Sequence, residues 1–111
     1  MIRGLAHWEP ARDGPLTEAA MRSRLEAMGY RVTRYIYPAG TRFPAHDHDV
    51  DKIDGVLSGR FRMTLGDETL ILGAGDMLEV PAHARHSAEM VGDAPVLSLD
   101  AVRVARERTA G

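Results

Sequence analysis

Residues 40–59 read GTRFPAHDHDVDKIDGVLSG: two histidines one position apart, His46 and His48, stand between a glycine at each end. On a strand, residues i and i+2 project to the same side, so a strand over 45–50 lets the two imidazoles converge on one point, a spacing that suits a metal ion. A second pair, His83 and His86, follows Pro81 in the stretch GDMLEVPAHARHSAEM, residues 75–90. A closed barrel is the architecture that can carry this later pair beside the first.

Outward from these stretches the chain keeps a period of two. Short strands are predicted over 30–37, 45–50, 53–58, 60–65, 68–72, 77–80, 85–90 and 96–104, with turn signals at Pro38-Ala39-Gly40, Ser58-Gly59, Gly66-Asp67, Gly73-Ala74-Gly75 and Gly92-Asp93-Ala94-Pro95. Within 60–65, Phe61, Met63 and Leu65 share one face while Arg60, Arg62 and Thr64 share the other. Many short strands at close spacing predict an all-β sandwich or barrel. Upstream, residues 17–28 read as the single helix. Thr17 can cap its start, Met21, Leu25 and Met28 form one apolar face, Glu18 and Arg22 stand four apart, and Gly29 suits a left-handed C-terminal position. The preceding residues read as an arm laid on the barrel or on a partner subunit and anchored by Trp8. The division is thus an arm and helix over 1–29 packed on a β-barrel over 30–111, one structural domain overall.

Composition narrows the function classes. The chain has 111 residues and a formal net charge of −2, so the strongly basic face of a nucleic-acid binder is not expected. The densest basic run, Arg103, Arg106 and Arg108, reads as a solvated tail. Without cysteine there is neither disulfide nor thiolate site, and a transition metal must be held by imidazole and oxygen. The N-terminal residues contain no long apolar run, so neither signal peptide nor membrane span is expected, and the cytoplasm is the expected compartment. A chain this short gains from subunit pairing, and a homodimer is expected.

Two motifs give the pattern a family. Residues 40–59 resemble the first cupin motif (glycine, five residues, His-x-His, three or four residues, glutamate, six residues, glycine), with Gly40, His46, His48 and Gly59 in place and Lys52 where the glutamate belongs. Residues 75–90 resemble the second (glycine, five residues, proline, one residue, glycine, two residues, histidine, three residues, asparagine), with Gly75, Pro81 and His86 in place, His83 for the glycine and Met90 for the asparagine. The resemblance implies a double-stranded β-helix, or jelly roll. It also implies that His46, His48 and His86 are three ligands for iron, manganese, zinc, nickel or copper in the barrel mouth.

Lys52 sets the question of function. A protonated lysine cannot ligate, and its ammonium repels a cation. Three readings stay open: a three-histidine metal site with water at the open positions; replacement of the glutamate by a nearby acid, Asp51 or Asp54; or a metal-free pocket in which Lys52 holds an anion. Asp47 and Asp49 are expected to point away from the histidines, and His83 and His7 to lie at the surface. Tyr35, Tyr37, Phe43, Met63, Met77 and Met90 are read as barrel lining or core. Two functions follow. One is a metalloenzyme of dioxygenase, isomerase or lyase type on a small polar molecule, with Lys52, Asp54 and His83 as candidate proton-transfer groups. The other is a non-catalytic cupin that binds a small anion or sugar.

Overall fold

The period of two builds two antiparallel sheets in the computed structural model, which describes residues 4–104. In chain order the elements are β1 (Leu5–His7), α1 (Pro10–Asp13), α2 (Glu18–Ala27), β2 (Tyr30–Tyr37), β3 (Arg42–His46), β4 (Lys52–Ser58), β5 (Arg60–Leu65), β6 (Glu68–Leu72), β7 (Asp76–Val80), β8 (His86–Val91) and β9 (Val96–Arg103). One sheet runs β1-β7-β4-β9-β2 and the other β3-β8-β5-β6. This is the expected jelly roll, with α2 as the expected helix. No helix of the described residues is long and apolar enough to cross a membrane.

Alternation along β4 and β9 decides what each face of the larger sheet carries. Ile53, Leu99 and Ala101 point to one side, where Met21 and Leu25 of α2 join them with Trp8, Tyr30, Val32 and Met77 in one buried cluster. Gly55 belongs to the same side, and a Cβ there would lie 2.8 Å from Met21 Sδ, so its bare backbone lets the helix approach. The opposite residues point between the sheets. Val56 and Val96 meet Phe61, Met63, Leu72, Leu78, Val80 and Met90 in a second buried cluster.

Caps and turns follow local chemistry. Thr17 Oγ1 accepts a hydrogen bond from the Ala20 amide at 3.0 Å, which satisfies one orphan donor at the start of α2. Gly59, in the β4–β5 turn, has φ +81, and a Cβ there would lie 2.6 Å from the Pro95 carbonyl oxygen. The turn therefore demands glycine on two counts.

Several sequence expectations are corrected. The N-terminal arm contains a strand, β1, paired with β7, and a single turn of helix, α1, started by Pro10. Trp8 is its anchor: it is buried, its Nε1 donates to the Gly14 carbonyl at 2.8 Å, and the Arg24 guanidinium lies over its ring. The strand expected over 45–50 is instead β3, Arg42–His46: its register shifts between Phe43 and His46, His46 still pairs with His86, and the chain leaves the sheet after His46. Arg103 is no tail residue. It ends β9 with its guanidinium 4.7 Å from the Tyr30 ring, whereas Arg106 and Arg108 lie outside the described residues.

The helix-to-sheet contact predicts a measurable cost. Leu25 is fully buried, so Leu25→Ala lowers the unfolding free energy by about 2–5 kcal/mol. Ser23→Ala, on the exposed side of α2, leaves the urea midpoint essentially unmoved.

Candidate metal centre

Between the sheets lies a cavity of about 240 Å³, lined by His46, His48, His86, Lys52, Asp54 and Asp100 together with apolar and aromatic side chains. Three elements bring the imidazoles there. His46 closes β3 and pairs across the sheet with His86, the first residue of β8. His48 stands in the turn beyond β3. Their convergence is therefore a product of cross-strand pairing and a turn, not of i,i+2 geometry on one strand.

The ring centroids are 4.7 Å apart for His46–His48, 4.3 Å for His46–His86 and 5.1 Å for His48–His86. One nitrogen from each ring lies within 4.8 Å of the other two. His46 Nδ1 faces the Pro44 carbonyl at 2.7 Å, and His86 Nδ1 faces the Ala84 carbonyl at 2.9 Å. A ring nitrogen against a carbonyl donates its hydrogen, which fixes the tautomer and leaves the lone pair on Nε2. His48 Nε2 is buried without a hydrogen-bond partner, a costly state that a metal ion would relieve. Burial, and then the Lys52 charge, hold the His48 pKa below the usual imidazole value. Burial lowers that of His86 too, against the Ala84 carbonyl bond. Both shifts favour the neutral, ligating form. The donor set fits a divalent transition metal.

Beside the imidazoles, β4 and β9 turn polar side chains inward. Lys52 Nζ lies 2.7 Å from Asp100 Oδ1 in an ion pair, both largely buried. Asp54 is the cross-strand partner of Asp100. Its carboxyl is pushed up to about 7, chiefly by burial and further by Asp100, with the Lys52 ammonium opposing. Tyr37, also in the lining, is pushed up to about 12 by burial and by the charges of Asp100 and Asp54, and so remains a phenol.

Of the sequence candidates, His46, His48, His86, Lys52 and Asp54 line this one cavity, and His83 does not. His83 is exposed at φ 66, the left-handed turn position where the motif has glycine, and its amide donates to the His48 carbonyl at 2.6 Å. Its backbone thus holds the His48 turn while its ring faces outward. Asp51 is committed to the Ala82 amide at 2.8 Å and is absent from the lining. Asp47 and Asp49 are exposed, as is His7, whose ring bonds Asp76 at 2.7 Å. Tyr37, Phe43, Met63 and Met90 line the cavity. Met77 instead packs under α2, and Tyr35 lies exposed, stacked on Tyr37. Asp100 was missed by sequence reasoning. Its signal was an acid at an inward position in the apolar strand VLSLDAV.

The likeness to known proteins agrees with this fold. The sequence matches no curated protein. Among solved structures, the cupin domain of Schizosaccharomyces pombe Cnp3 superposes with a TM-score of 0.64 at 17% identity, over 69% of this chain and 57% of that one, a likeness of fold alone. A cupin protein from Bacteroides fragilis gives 0.61 at 27% identity, over 82% and 79%. The DMSP lyase DddQ from Ruegeria pomeroyi gives 0.62 at 26% identity, over 73% of this chain but 41% of the lyase. The family model described as a cupin domain matches residues 33–102, most of the chain and both histidine motifs, and the protein belongs to the cupin family.

Proposed function

We propose that this cupin binds a divalent transition metal through His46, His48 and His86 and acts as a metalloenzyme on a small polar molecule. The observation that carries this reading is the buried, unpartnered Nε2 of His48, set among two imidazoles whose Nδ1 atoms are already committed to backbone carbonyls. When bound, the metal supplies Lewis-acid polarisation of a substrate oxygen. The chain's own residues do the rest. Phe43, Phe61, Met63 and Met90 form an apolar wall, and Lys52, Asp54 and Asp100 hold charge and protons beside the ligand. Among dioxygenase, isomerase and lyase chemistries, the similarity to a DMSP lyase favours the last, although this chain spans only 41% of that enzyme.

The second reading, a metal-free cavity for a small anion or sugar, is favoured by the buried ammonium of Lys52 among the lining residues. Against it, that ammonium already has Asp100 at 2.7 Å.

Elemental analysis of the untagged protein separates the two. Near-stoichiometric metal that disappears in the His46→Ala/His48→Ala double variant is expected. Little metal after incubation with iron, manganese, zinc, nickel and copper would sink the metalloenzyme reading. Lys52→Glu, which restores the motif carboxylate and removes a like charge, is expected to tighten metal binding by about tenfold or more in a competition titration. Metal affinity is also expected to persist below pH 6.5. The lowered pKa values of His48 and His86 mean that protons compete for these nitrogens only at lower pH than for a free imidazole. Retention of a chromophoric metal such as cobalt, followed across pH 5–8, checks this.

A further inference from the structure

The cavity contains a second chemical unit, apart from the imidazoles. Asp54 of β4 and Asp100 of β9 are Cα partners across an antiparallel pair, and Lys52 sits two positions before Asp54 on the same inward face. Like charges directly opposed on a sheet repel, so two ionised aspartates here would strain the pairing. Among the described lining residues Lys52 is the only lysine or arginine, and Asp54 and Asp100 are the only acids. One ammonium faces two carboxyls: it is paired with Asp100 at 2.7 Å, and its charge only partly offsets the burial of Asp54. Ser98, next along β9 on the same face, cannot serve Asp54 as a donor, because its hydroxyl already donates to the Gly55 carbonyl at 3.0 Å. A desolvated carboxyl beside a carboxylate, with no cation of its own, takes up a proton.

We propose that Asp54 and Asp100 form a carboxyl pair that shares one proton, in which Asp100, paired with the Lys52 ammonium, is the positioning partner and Asp54 is the acid that exchanges a proton with a ligand in the cavity. The raised pKa of Asp54, about 7, agrees with the geometry and lets both of its forms exist near neutrality. The groups that share the cavity and set its field are Lys52 on β4, Asp100 on β9, Tyr37 on β2, His46 on β3, His86 on β8 and His48 in the turn between β3 and β4. Tyr37 keeps its proton and cannot replace Asp54 as the base.

Such a unit suits a ligand class, small carbonyl compounds with an acidic hydrogen on the adjacent carbon. The step is balanced without oxidant or reductant. The C–H bond breaks, its proton passes to the Asp54 carboxylate, and the electron pair moves onto the carbonyl oxygen as an enolate. Return of the proton to carbon restores the acceptor. Use of the pair in turnover rests on the reading of this cavity as the reaction site, but its proton can be observed without any metal.

The test therefore has two arms. Infrared spectra of the metal-free protein with carbon-13-labelled aspartate should show the carbonyl stretch of a protonated acid at pH 6 that fades through a midpoint of about 7. That band should vanish in Asp54→Asn and survive in Asp54→Glu with glutamate labelled instead. In Asp100→Asn its midpoint should fall, because the neighbouring negative charge is gone and Lys52 is released. Absence of the band at pH 6, or its survival in Asp54→Asn, overturns the pair, whatever metal the protein holds. In the second arm, metal-loaded protein in deuterium oxide should exchange the methyl hydrogens of pyruvate, read by proton NMR. Asp54→Asn should lose about a hundredfold of that rate while keeping its metal content. Exchange unaffected by the substitution, or none in the native protein, overturns the ligand class. Loss of metal binding in the native protein would instead strike the metalloenzyme reading and leave the infrared arm intact.

Discussion

The antiparallel pairing of β4 with β9 is the constraint on which the rest of the molecule depends. Because side chains alternate on a strand, one register assigns two jobs to the same two segments. Ile53, Leu99 and Ala101 bury themselves under α2, and Lys52, Asp54, Ser98 and Asp100 enter the cavity. A slip of one residue would exchange these sets, exposing the helix to charge and filling the cavity with aliphatic groups. The apolar demand of α2 therefore fixes the polar composition of the site. The same register puts Asp54 directly across from Asp100, so the electrostatics of the cavity follow from backbone pairing.

A cavity with polar walls needs a rigid frame, and the frame is divided between packing and hydrogen bonds. Deeper between the sheets, Val56, Val96, Leu72, Leu78 and Val80 close the interior without polar atoms. Near the histidines two loops are tied together. The Asp51 carboxylate accepts from the Ala82 amide, and the His83 amide donates to the His48 carbonyl. Backbone carbonyls of Pro44 and Ala84 then aim two of the three imidazoles. The ligand nitrogens are thus oriented by main-chain groups, which makes their geometry robust to side-chain change around them.

Lys52 gives this member of the family its own electrostatics. Where the motif places a carboxylate that would lower the charge of a metal site, the chain supplies a cation and moves the compensating acid to β9, as Asp100. A metal held here would be bound by three neutral donors, and negative charge would have to come from its ligand. The Lys52 field also reaches His48, lowering its proton affinity, so the cation acts against protonation of the imidazoles as well as against a metal.

In the sequence by itself, alternation and turn glycines, local properties that survive without knowledge of partners, determined an all-β sandwich or barrel, and the resemblance of two spaced histidine motifs to those of cupins narrowed it to the jelly roll. The sequence also determined which three histidines belong together, and it exposed Lys52 as a departure from the motif. Tertiary structure alone decided how they meet. His48 reaches its neighbours from a turn, because β3 ends at His46, whose place opposite His86 is set by pairing with β8 that no window around residue 46 contains. The surface position of His83 was legible in the sequence; tertiary structure added its positive φ, at the turn position where the motif has glycine, and the bond from its amide to the His48 carbonyl. And only tertiary structure matched Lys52 with Asp100 and set Asp54 beside them. A charge pair between residues far apart in sequence exists only when two strands are brought into one register, and the strength of that pair depends on burial that the fold, not the segment, supplies.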